Sequence, residues 1–229
     1  ISALIWLRTQ MILSNGAMLF QIIFPYALLF LYDRFLNPDH DPSKSLQILF
    51  IMLPLAFSLS MGTMITIMLA EEKEKKNLKT LFLSGIHSAE YLISILFYPI
   101  ILGCITIVSF PLILNADLSN HLVEYGVVMT SVAVCVILVN LLVGAVTDTQ
   151  AKAQVNGVIP MMAVAFLPMF SQFSESISKV AHYTFMGNFI DFFLDEGFTL
   201  NFQSMLVPIV WMAVLIVLNF FLLKPKAQN

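Results

Sequence analysis

The sequence predicts an all-α membrane protein with six transmembrane helices, an N-terminal amphipathic interfacial helix and a short cytoplasmic helix. Three observations predict it. The 229 residues are 59% hydrophobic and only 11% charged, with 20 Phe and a mean hydropathy of +0.89, too little polar surface for a water-soluble domain. Six runs approach the roughly 20 apolar residues that cross about 30 Å of hydrocarbon; they are residues 16–32, 46–70, 91–114, 125–146, 157–173 and 205–223. The basic residues, finally, are sorted to one side of those runs. With the N-terminus inside, Arg8, Lys73, Lys75, Lys76, Lys79, Lys152, Lys224 and Lys226 are cytoplasmic, and only Arg34, Lys44 and Lys179 lie outside. Short cytoplasmic loops are enriched in Lys and Arg, so both termini are expected in the cytoplasm. The acids Asp33, Asp39, Asp41, Asp117, Glu124, Glu175, Asp191, Asp195 and Glu196 then face outward.

A single domain over 1–229 accommodates these elements. The chain starts at Ile1 without Met and shows no cleavable signal, which leads to the expectation that a few preceding residues have been lost. Residues 1–15 place Ile1, Leu4, Ile5, Trp6 and Ile12 around Arg8, Thr9 and Gln10, a pattern for a helix lying along the inner interface. The other reading is that they lengthen the first span. The first and fifth runs are short for a simple crossing and are extended, tilted or broken near the surface. Prolines 25, 54, 99, 111, 160, 168 and 208 fall in spans, where neighbouring helices tolerate the kinks they cause.

Six consecutive charged residues, Glu71 to Lys76, follow the second run and open a cytoplasmic loop, 71–90. Glu71 with Lys75 and Glu72 with Lys76 are i,i+4 pairs with the acid first, which extends the second helix beyond the membrane. Leu78, Leu81 and Phe82 follow at i, i+3 and i+4 and make an apolar stripe. Gly85 suits a C-cap, Ser88 starts the next helix, and Glu90 falls in its first turn. From these residues alone, the stripe either lies on the lipid surface or fills a groove in a partner.

At these positions the chain resembles the ABC-2 type permeases, the transmembrane subunits of ATP-binding cassette exporters. Their loop between the second and third spans reads approximately E-x-E-x-G-T-L-x-x-L-x-x-S-P, followed by a hydrophobic residue and an acid. Glu72, Glu74, Leu78, Leu81, Ser84, Ile86 and Glu90 keep step with it, while Lys76, Asn77 and Gly85 replace its Gly, Thr and Pro, and Ser94 stands where Gly-Lys often follows. The order of elements matches along the whole chain. The resemblance implies that the loop is a coupling helix seated in a groove of a separate ATPase, with Leu78, Leu81 and Phe82 in the groove and Glu72, Glu74, Lys75 and Lys79 on a polar rim. It also implies two ATPase copies, carrying ATP and Mg, beneath two permeases, most simply a homodimer, in a bacterial plasma membrane. No cofactor in this chain and no nucleic-acid partner are expected.

The chain itself is not expected to hydrolyse ATP. Leu83-Ser84-Gly85 imitates the start of an ATPase signature loop, but Ile86 and His87 follow it, and the sequence holds no G-x-x-x-x-G-K-[ST]. Cys104 and Cys135 sit in spans as small apolar residues, and His40, His87, His121 and His182 are isolated, so neither metal nor acid–base chemistry is expected. The outer segment 174–204 places Phe185, Phe189, Phe192 and Phe193 at i, i+4, i+7 and i+8, an amphipathic helix with Asp191 and Asp195 on its polar side. It is read either as an interfacial aromatic belt or, by the resemblance, as an outer gate dipping into the membrane. The expected function is export of amphipathic or hydrophobic cargo, such as a peptide, an antimicrobial or a lipid-like molecule. The alternatives are an ion-coupled secondary transporter, against which the absence of ionisable residues from the middle of the spans argues, and a non-transporting immunity or scaffold protein. An enzyme would need a polar cluster that the ordinary loop of Asp148, Gln150, Lys152 and Asn156 does not supply.

Overall fold

The computed structural model describes residues 1–75, 84–195 and 197–223. Helix α1 covers Ser2–Ser14 and α2 covers Gly16–Leu36. Asn15 separates them. Its backbone is extended (φ −107°, ψ 98°), and its Oδ1 accepts hydrogen bonds from the Ala17 and Met18 amides, so the chain turns and starts afresh. Residues 1–15 therefore form a helix of their own and do not lengthen the first span.

The next helix, residues 42–74, is the axis of the bundle. It starts at the Asp41 cap with Pro42 in its first turn, and runs as α3 (Pro42–Ala56), a π-helical stretch (Phe57–Thr63) and α4 (Met64–Glu74). Pro54 lacks an amide hydrogen to continue the ladder, and the wider π turns follow directly. Ser58, Ser60 and Thr63 donate back to the carbonyls of Pro54, Ala56 and Leu59, at 2.8, 2.6 and 2.7 Å, so the disturbed backbone stays satisfied in apolar surroundings. The most apolar window of 42–74 is 83% buried, against 17% for α2 and for the last helix. The other helices surround 42–74, whereas α2 and the last helix turn most of their surface outward.

Helices α5 (Ser88–Leu114), α6 (Leu122–Val146) and α7 (Gln150–Ser171) pack around that axis, and α10 (Phe202–Leu223) lies along α6. Together with α2 and 42–74, they make six helices long and apolar enough to cross a membrane. Glycines bring α4 and the π stretch close to their neighbours. A Cβ at Gly103 would stand 2.6 Å from Met61, and one at Gly144 would stand 2.7 Å from Leu69. Thr66 Oγ1 donates to Asn140 at 3.1 Å, a hydrogen bond between α4 and α6.

Short helices α8 (Glu175–His182) and α9 (Gly187–Leu194) connect α7 to α10. They stand at the opposite end of the bundle from α1. That end carries eight described acids, Asp33, Asp39, Asp41, Asp117, Glu124, Glu175, Asp191 and Asp195, against Arg34, Lys44 and Lys179.

Candidate functional site

The charged run at the end of α4 is tied to four other helices by three consecutive side chains. Glu72 is 1% exposed and Arg8 fully buried, and the two form an ion pair. The second carboxylate oxygen of Glu72 accepts from the Tyr91 hydroxyl. Arg8 in turn donates from Nε and Nη2 to Ser94 Oγ at 3.4 and 3.3 Å, and its guanidinium lies 5.5 Å from the centre of the Tyr91 ring. Leu4, Arg8 and Ile12 form the inward stripe of α1, while Trp6 and Leu13 point away. A buried arginine needs a counter-charge, and Glu72 supplies it. One carboxylate thereby joins α1, α4 and α5.

Lys73 points to the other side of α4. Its Nζ donates to the Gly144 carbonyl at 3.0 Å, to that of Ala145, and to that of Thr147 at 3.2 Å, the last carbonyls of α6. Carbonyls at a helix end lack the amide four residues on, although Gly144 also accepts the Thr147 amide at 3.3 Å, and a cation at a helix C-terminus is favourable. Glu74 Oε2 accepts the Gln150 amide at 2.7 Å, in the first turn of α7, where an anion is favourable. Thr149 completes that turn by accepting the Lys152 amide. Adjacent charges of opposite sign thus hold the end of α6 and the start of α7. Glu71 closes the run with an i,i+4 pair to Lys75 at 2.5 Å.

These placements refine the sequence reading residue by residue. Lys75 pairs with Glu71 as the spacing predicts. Glu72, expected on a rim, is buried and faces the bundle, its two oxygens accepting from Arg8 and Tyr91; its expected pairing with Lys76 falls on a residue outside the described ones. Glu74 stays at the surface but is engaged by α7. Leu78, Lys79, Leu81 and Phe82 lie outside the described residues, as does Lys76. Arg8, Lys73, Tyr91 and Ser94 did not stand out in the sequence as site residues. The one available signal was Arg8, a cation at i+4 from Leu4 and i−4 from Ile12, on a stripe that the structure turns inward.

At the opposite end, Phe185, Phe189, Phe192 and Phe193 of the outer segment pack into or against the protein core. Phe189 is fully buried and stacks on Phe50 of α3 at 5.7 Å, Phe193 meets both, and Phe192 contacts Tyr125 of α6. Phe185 packs edge-on against Trp211 of α10, whose Nε1 donates to the Tyr183 carbonyl at 2.8 Å. The rings contact α3, α6 and α10. His182 Nδ1 lies 3.2 Å from Asp191 Oδ1, joining α8 to α9. Burial pushes the Asp191 carboxyl above its ordinary range, and the nearby His182 opposes that shift.

A family described as ABC-2 family transporter protein matches residues 32–223. No curated protein and no solved structure matches.

Proposed function

Because the chain belongs to the ABC-2 transporter family, we propose that it is the permease subunit of an ATP-driven exporter whose separate ATPase drives it through the 71–90 segment. The observation that supports this reading best is the set of ties made by Glu72, Lys73 and Glu74, which link α4 to α1, α5, α6 and α7 immediately before residues 76–83. A displacement that reaches the end of α4 is passed on to α1, α5, α6 and α7 through these contacts.

The mechanism follows from the parts. ATP and Mg reside on the partner subunit, two copies of which sit beneath two copies of this chain, with both termini on the ATPase side of a bacterial plasma membrane. Leu78, Leu81 and Phe82 seat in the ATPase, and Lys75 and Lys79 set the register. Closure of the ATPases pulls on α4, and its charged end carries α1, α5, α6 and α7 with it. The π-helical stretch marks where the helix 42–74 departs from regular geometry, between this end and the part of α3 that holds the aromatic cap. Phe185, Phe189, Phe192 and Phe193 close the far side. The cargo that suits so apolar a bundle is amphipathic or hydrophobic.

Substitution of the stripe tests the reading. Leu81→Asp or Phe82→Asp, each in the complex with its ATPase, is expected to abolish cargo-stimulated ATP hydrolysis and weaken assembly. Unchanged assembly and stimulation would remove the loop from the coupling path.

A further inference from the structure

A cleft of about 170 Å³ opens at the acidic end of the bundle, between the α5–α6 turn, α9 and the connection to α10. Leu46, Leu118, Phe192, Phe193 and Phe198 form its apolar lining, and Asp117, His121 and Asp195 its exposed polar side, where the two carboxylates outnumber the one imidazole. The rings are fixed at right angles, Phe192 meeting Phe193 at 90° and Phe198 at 84°. Each carboxylate spends one oxygen on its own turn. Asp117 Oδ1 accepts the Ser119 amide and hydroxyl at 3.1 and 2.7 Å, and Asp195 Oδ1 accepts the Gly197 amide at 2.9 Å. Among the described residues Oδ2 of each makes no hydrogen bond. The Ser119 hydroxyl and amide hold the Asp117 carboxyl below its usual range, so it is ionised at neutral pH.

We infer that this cleft binds a small organic ammonium, a cation carried on an apolar body about the size of one benzene ring. The size follows from the volume, since an apolar cavity of roughly 150 Å³ is known to hold benzene. The charge follows from complementarity. Aromatic faces and free carboxylate oxygens attract ammonium groups, and the acidic surplus at this end of the bundle repels anions. A neutral ring would gain the apolar contacts and leave both carboxylates without a counter-charge. Transported cargo and a ligand arriving from that side are equally served by such a site, which stands on the cleft alone and not on the coupling mechanism.

Binding to the purified protein in lipid nanodiscs, measured by calorimetric titration, tests the site. The probes are benzyltrimethylammonium, the anion benzenesulfonate and neutral benzyl alcohol. Only the cation is expected to bind saturably, more weakly as salt screens the carboxylates. Its affinity is expected to fall by about tenfold or more in Asp117→Asn/Asp195→Asn, as for a lost charge-assisted contact. Asparagine keeps the Oδ1 acceptor and so preserves each turn. Phe198→Leu, which leaves the charges in place, is expected to weaken the cation as well. Equal binding of all three probes, no saturable binding of the cation, or unchanged affinity in both variants would overturn the assignment. Because binding is read directly, such a result leaves ATPase coupling to its own test.

Discussion

Replacing Glu72 with alanine is expected to destabilise the protein by about 3–5 kcal/mol, the usual effect of leaving one member of a buried ion pair without its partner. The stranded group is Arg8, which is fully buried and whose remaining contacts are a serine hydroxyl, a methionine sulfur and an aromatic ring. None of them neutralises its charge. Arg8→Met is expected to be similarly harmful, since Glu72 then keeps only the Tyr91 hydroxyl. Removing both charges is a different matter. Arg8→Met/Glu72→Met replaces the pair by apolar bulk, and such replacements are often neutral or stabilising. Thermal unfolding of the purified variants reads this pattern, and transport per ATP hydrolysed reads what stability does not. If the pair only holds the helices together, the double variant recovers both properties. If it transmits motion between α1, α4 and α5, as proposed, stability returns and transport stays poorly coupled to hydrolysis. Single variants within about 1 kcal/mol of the parent would show that the pair is not buried as described.

Phe189→Ala is expected to have the second largest effect, a loss of about 3–5 kcal/mol as for other buried phenylalanines. Its ring is enclosed by Phe50 and Phe193, and its removal leaves a gap where α9 meets α3. Phe173 makes a suitable comparison because it is 81% exposed. Phe173→Ala is expected to change stability by less than about 0.5 kcal/mol. An aromatic belt facing lipid would give two small and similar effects; the packed cap gives one large and one small. Thermal unfolding in the same lipid separates them.

Much of the architecture was legible because the bilayer imposes it. A run of apolar residues long enough to cross has few alternatives to a helix, so all six crossings could be read from composition and length. Their ends were less legible. The fifth helix begins at Gln150, seven residues before the apolar run, because Thr149 caps it and its first two turns are polar. Nothing in composition distinguished the 42–74 helix as the buried axis, since all six spans are apolar on every side. The π stretch left only a weak trace in Pro54 and the following hydroxyl residues.

The candidate site was legible where its contacts are local. Glu71 and Lys75 are neighbours on one helix, and spacing sufficed. Glu72 and Arg8 are 64 residues apart, so local spacing could not bring Arg8 to Glu72, and tertiary packing does. Lys73 and Glu74 likewise find partners on α6 and α7 that are defined only once the helix ends meet. Each charge of the run looked like part of a solvated face; three of them are fasteners.

The central claim is that the loop beyond these fasteners touches an ATPase. Site-specific photo-crosslinking tests it most directly, with a photoreactive amino acid in place of Phe82 and, as a comparison, in place of Phe20, which is 60% exposed on α2. In the assembled complex the probe at 82 is expected to capture the ATPase subunit and the probe at 20 to capture lipid. Capture of lipid from both positions would contradict the account.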